Sequence, residues 1–163
     1  MKMKIIIIAV IIIIVAILYI IINKNNNKVE ISEIKRLSFS YSTGYMVNAY
    51  VRYEVEYEEN KYIARIKPNN MAEEELLETK LDKKTIDKIE SILKEYNVSK
   101  WNGFDKVDKD VLDGNTFSIS ITMANEKQIT ASGYMKYPEN YGEVKTALDN
   151  IFMGIYNERK WYE

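Results

Sequence analysis

The sequence predicts an α+β fold: an N-terminal transmembrane helix, then an antiparallel sheet in the order β-β-β-α-β-β-α, with two helices on one face. Three observations predict it. Apolar and polar residues alternate in five stretches between positions 37 and 133, the period of a half-buried strand. Two further stretches, 86–96 and 141–155, repeat apolar residues at helical spacing. The third is a run at 5–22 that is apolar throughout except for Tyr19.

Taken in order, the run comes first. Its 18 residues, at about 1.5 Å each, span about 27 Å, close to the ~30 Å of a hydrocarbon core. Lys2 and Lys4 precede it, and the polar stretch Asn23-Lys24-Asn25-Asn26-Asn27-Lys28 follows it without an Ala-x-Ala-like cleavage site. The expected organisation is a cytoplasmic leader (1–4), a signal anchor (5–22), a linker (23–28) and an α+β domain (29–163). The short basic leader before a long domain points to a single-pass protein of the cell membrane with its C-terminal domain outside.

In the first strand Leu37, Phe39 and Tyr41 alternate with Ser38, Ser40 and Ser42, and Ser42-Thr43-Gly44 reads as a turn. In the second, Ala49, Val51, Tyr53, Val55 and Tyr57 share one face, opposite Tyr50, Arg52, Glu54 and Glu56. Glu58-Glu59-Asn60-Lys61 turns the chain into Tyr62, Ala64 and Ile66, and Pro68 ends that strand. Residues 71–81 fit a helix slightly better than a strand, and also read as an extended edge segment. Asp82 is placed to cap a helix carrying Ile86, Ile89, Ile92, Leu93 and Tyr96, with Asn97 at its end. Residues 98–115 look irregular. Phe117, Ile119, Ile121 and Met123 then alternate with hydroxyl residues, Ala124-Asn125-Glu126-Lys127 turns, and Ile129, Ala131 and Gly133 return. Tyr137-Pro138 is expected to start the second helix, whose buried stripe is Tyr141, Val144, Leu148, Ile151, Phe152 and Ile155.

Composition removes whole classes of chemistry. The chain has neither cysteine nor histidine, so disulfides, thiolate catalysis, histidine-based triads and His-ligated zinc are excluded. Four of the 23 basic residues and none of the 24 acidic ones lie in residues 1–28, leaving 29–163 at a net charge of −5. A nucleic-acid partner, which needs a basic face, is not expected. No cofactor is expected either: no phosphate-cradling loop or nucleophile motif is present.

The segments Trp101-Asn102-Gly103-Phe104, Leu112-Asp113-Gly114, Ala131-Ser132-Gly133-Tyr134-Met135, Tyr137-Pro138 and Asn140-Tyr141 resemble a group of uncharacterised, small membrane-anchored proteins of Gram-positive bacteria. The resemblance covers most of the domain. It implies a location and assigns no activity, ligand or catalytic residue.

Candidate sites are few. Asp105, Asp108, Asp110 and Asp113 precede Gly114 and could supply oxygen ligands to calcium. Counted from Asp108, however, glycine falls at the seventh place and Ile119 stands where the EF-hand loop needs glutamate. The expectation there is a solvated loop and no metal. Trp101 and Phe104, flanking Gly103, could grip a peptide or glycan as an exposed pair; as large rings they are more simply expected to plug the core. Of the tyrosines, Tyr53, Tyr57 and Tyr62 align with the apolar face, whereas Tyr45 and Tyr50 are candidates for a recognition surface, though cross-strand pairing on the wet face is the simpler expectation for them. Glu54, Glu56, Glu58, Glu59 and Glu73, Glu74, Glu75 read as solvent-facing acids. The leading expectation is a membrane-anchored, extracytoplasmic, non-catalytic module binding a cell-surface protein or glycan. A carboxylate-dependent hydrolase and a cytosol-facing regulatory or structural domain are the alternatives.

Overall fold

A computed structural model describes residues 12–17, 29–42, 50–69 and 76–160. The chain folds as α+β, with seven strands in one mostly antiparallel sheet. After a short helical segment α1 (residues 12–17) come β1 (Ile34–Ser42), β2 (Tyr50–Glu58), β3 (Lys61–Lys67), β4 (Leu77–Leu81), α2 (Lys83–Glu95), a 3-10 turn (Val98–Trp101), β5 (Phe104–Val107), β6 (Thr116–Met123), β7 (Gln128–Tyr134) and α3 (Tyr141–Lys160). The spatial order is β4-β3-β2-β1-β6-β7-β5. Among the described residues only the β5–β7 pairing is parallel.

The anchor expectation is corrected. Of the run 5–22, the structure describes residues 12–17, which are helical. α3 has the length, 20 residues, but carries Glu143, Lys145, Asp149, Glu158 and Arg159. Among the described residues no helix is long and apolar enough to cross a membrane. The transmembrane and signal-anchor assignment, and the cell-membrane location built on it, are therefore not supported. The leader 1–4, the rest of the run and the linker 23–28 lie outside the described residues.

The expected strand order is corrected as well, because two strands escaped it. β4 occupies the second half of the ambiguous stretch 71–81 and pairs along the edge of β3, Leu77 with Ile66 and Leu81 with Tyr62. β5 lies in the stretch expected to be irregular. Four residues are too few to show a period, and its pairing to β7 comes from tertiary context.

The register confirms the alternation. Phe39 sits between Tyr53 and Ile119, and Leu37 between Val55 and Ile121. These side chains join Ile86, Ile89 and Leu93 of α2 and Val144, Leu148 and Phe152 of α3 in one buried core. Tyr57 departs from its expected place: it is 40% exposed at the strand's end, though its ring lies 4.7 Å from that of Tyr62.

Local signals account for the joints. Glu59 and Asn60 both have positive φ, 48° and 64°, which makes the two-residue link from Glu58 to Lys61 a primed hairpin turn. Asp82 caps α2, its Oδ1 accepting from Thr85 N at 2.8 Å, and Asn97 follows in the left-handed conformation. α3 starts one turn later than expected. Pro138 disfavours helical geometry at Tyr137, and Asn140 at φ 62° breaks the path before Tyr141.

Candidate functional site

Because both helices pack on one side, the other side of the sheet is left to polar residues. The register orders them into rungs across the strands. One rung runs Arg65, Glu54, Ser38, Ser120, Thr130; the next runs Lys67, Arg52, Ser40, Ser118, Ser132, Asp105. The centre of this face is a block of hydroxyls. Its β2–β3 side carries charge of both signs, and its β5 side ends on a carboxylate.

Two shallow hollows adjoin on this face and share Ser120. The first, about 340 Å³, is lined by Arg36, Ser38, Glu54, Glu56, Arg65, Ser120 and Thr122, with Leu37 and Val55 beneath. The second, about 320 Å³, is lined by Gly103, Phe104, Asp105, Ser118, Ile119, Ser120, Thr130, Ala131 and Ser132. Each is at the lower end of the size of small-ligand pockets, and together they form a longer trough. Arg65 holds the charged end, contacting Glu56 at 3.4 Å, Glu58 at 3.8 Å and Glu78 at 3.0 Å. The hydrogen bond to Glu78 raises its guanidinium further above an already high value. At the other end Ser132 Oγ donates to Asp105 Oδ1 at 2.8 Å.

A third hollow, of about 580 Å³, lies on the helical side among Tyr96, Gly142, Glu143, Thr146, Ala147 and Asn150. It is larger, but its lining repeats no pattern of matched polar groups.

The expected site residues are scattered over this frame. Asp105 and Phe104 meet in the second hollow. The Phe104 ring lies 6.1 Å from that of Phe117 on the core side. Trp101 is 2% exposed and its Nε1 donates to Glu139 O at 3.0 Å, so it plugs the core beside Phe117 and Tyr141. Asp108 accepts from Lys136 Nζ at 2.7 Å and from Asp110 N at 3.2 Å. The Lys136 hydrogen bond holds its carboxyl below the ordinary value. Asp110 and Asp113 join no cluster, and among the described residues no group of three or more acids could hold a metal. Tyr50 borders the face, half-buried, with Lys67 Nζ on its carbonyl at 3.2 Å and 5.5 Å from its ring. Tyr45 and Glu73 to Glu75 lie outside the described residues.

Sequence reasoning missed a polar cluster beneath α3. Tyr41 and Tyr53 both donate to Asp149 Oδ1 at 2.8 Å, and Lys145 Nζ donates to Asp149 Oδ2 at 2.7 Å. Burial, then the neighbouring Tyr41 and the hydrogen bond to Asp149, push the Tyr53 hydroxyl far above its ordinary value; burial and Asp149 raise Tyr41 too. Burial pulls the Lys145 ammonium down, but Asp149 and Tyr41 outweigh it and the net shift is upward. A lysine held protonated is no nucleophile, so the cluster acts as a clamp between sheet and helix. Its signal was present: Lys145 and Asp149 stand four apart, each beside a member of the buried stripe. Glu90, also missed, lies between Ile89 and Leu93 on that kind of stripe.

No family model matches the chain, and no curated protein matches it significantly. The resemblance drawn from the segments between Trp101 and Tyr141 therefore adds no residue role to this geometry.

Proposed function

We propose that the chain is a non-catalytic binding module whose open sheet face takes a polar segment of a partner protein. The observation that carries this reading is the hydroxyl block from Ser38 to Ser132, set between a mixed-charge side and Asp105. Serine and threonine hydroxyls both donate and accept, which suits a ligand presenting amides in either sense. Charges that are already paired at the rim give orientation at small desolvation cost, the arrangement of a non-obligate interface.

The carboxylates support binding over hydrolysis. Glu54 lies 3.6 Å from Arg52, and Glu56 lies 3.4 Å from Arg65. Both carboxylates are thus held in ion pairs on one face of the sheet, whereas a glycosidase sets two acids against each other across a cleft.

The test is a nuclear magnetic resonance titration with a library of polar peptides, and with oligosaccharides as the comparison arm. Shifts are expected at Ser38, Ser120 and Thr130 on peptide addition. Ser120→Arg, which fills the junction of the two hollows, should weaken binding by at least about tenfold. Peptide shifts confined to α2 and α3, or a response to oligosaccharides alone, would overturn the reading.

A further inference from the structure

We propose that the outer edge of β4 is a homodimer interface, in which two copies pair β4 against β4, antiparallel, about a two-fold axis at Thr79. Among the described residues β4 is the end strand of the sheet, and its ladder is to β3. On such a strand every other residue turns its N–H and C=O outward, a template for another strand.

The sequence of this edge, Leu77-Glu78-Thr79-Lys80-Leu81, is complementary to itself when reversed. Antiparallel pairing about Thr79 sets Glu78 against Lys80 of the second copy, and Lys80 against its Glu78. Leu77 meets Leu81, and Thr79 meets its own counterpart. The faces also agree. Glu78 and Lys80 are exposed, whereas Leu77, Thr79 and Leu81 are half-buried and both leucines already pack on the rim of the core. Pairing therefore continues the core side with leucines and the polar side with ion pairs, as an isologous contact requires.

Charge in the single chain favours the same occupant. Arg65 serves three carboxylates, Glu56, Glu58 and Glu78, so this corner has an excess of acid. Among the described residues Lys80 makes no ion pair. A second copy's Lys80 supplies the cation that Glu78 shares too little of. A lone lysine on an edge blunts strand pairing; a glutamate two residues earlier turns it into a means of self-recognition, because opposite charges directly across strands attract.

The full chain is studied in detergent, which keeps the apolar run 5–22 from driving association. Sedimentation equilibrium is expected to show a reversible monomer–dimer exchange. Glu78→Lys and Lys80→Glu should each raise the dimer Kd by about tenfold, because symmetry makes every like-charge clash occur twice. Mixing these two variants should restore association, since one edge is then all lysine and the other all glutamate. Circular dichroism checks that each variant is folded. As an independent reading, Thr79→Cys in this cysteine-free chain should crosslink to itself, and Asn60→Cys on the hairpin turn should not. A chain that stays monomeric, association indifferent to both charge reversals, a mixture that fails to associate, or equal crosslinking at both cysteines would overturn the proposal.

Discussion

At the scale of single residues, Glu90 and the buried tyrosines at α3 tie the helices to the sheet. The register of β1 shifts between Ile34 and Arg36, and the irregularity takes the Ile34 N–H out of the ladder. Glu90 Oε1 accepts it at 2.9 Å while only 8% of Glu90 is exposed. Removing that acceptor strands a buried donor, which costs about 1–3 kcal/mol. Glu90→Ala should therefore lower the urea midpoint with an unchanged slope, and Glu90→Gln, which retains an acceptor, should lower it less. The tyrosines where α3 meets the sheet set a pH dependence. The hydroxyls of Tyr41, Tyr53 and Tyr141 are all raised above their ordinary value, with burial the largest cause in each. The folded state thus holds those protons more tightly than the unfolded chain. This contribution is complete below pH ~10 and is lost as pH rises further. Stability measured by denaturation should fall steeply above pH ~10, by up to about 1.4 kcal/mol per pH unit for each such group. Tyr53→Phe should flatten the fall, and an unchanged slope would refute the assignment.

At the scale of elements, the strands with a full alternation were legible, and so were the helices with a full stripe. β6 was read residue by residue because Phe117, Ile119 and Ile121 face one core while Thr116, Ser118 and Ser120 face water. β4 was legible only as the second of two readings of residues 71–81, an extended edge segment, and β5 was not legible. An edge strand is half-buried at best, and a four-residue strand holds barely two periods, so neither carries a strong pattern. The candidate site was legible only as rows of serine and threonine on separate strands. Nothing local says that β1 lies between β2 and β6, and that placement is what brings Ser38 beside Ser120. Trp101 and Phe104 sit on a backbone that Gly103 carries through φ 78°, so a glycine signal was visible while the direction of the rings was not. The packing of β7 makes a sharper claim. A Cβ on Gly133 would stand 2.1 Å from Lys136 O and 2.6 Å from the Phe117 ring. Gly133→Ala is expected to cost about 1–3 kcal/mol through forced shifts, read as a lowered Tm. Gly142→Ala, where no atom lies within 4 Å, should leave Tm unchanged or raise it.

At the scale of the whole molecule, the division of labour is between two sides of one sheet. Most apolar side chains face α2 and α3, alongside Glu90 and the Tyr41–Tyr53–Asp149 cluster, and the opposite face carries rows of hydroxyls and charges, of which Ser40, Lys67 and Thr122 are buried. Backbone amide exchange should accordingly be slowest in β1, β2 and β6, whose central residues are buried on the helical side, and slower still in Ser38, Ser120 and Thr130 when a ligand is present. The central position of β1 also has a consequence for synthesis. Among the described strands it is the first to be made, yet one of its two neighbours, β6, is encoded roughly half the chain later. While residues 59–115 are being added, Phe39 and Leu37 have a partner on the β2 flank alone, and α3, which contributes Leu148 and Phe152, does not yet exist. A nascent half-sheet of this kind exposes oily surface and an open hydrogen-bonding margin for seconds. Ribosome-bound chains stopped before Thr116 should therefore be protease-sensitive and recruit holding chaperones, and protection should arrive abruptly once α3 has left the exit tunnel.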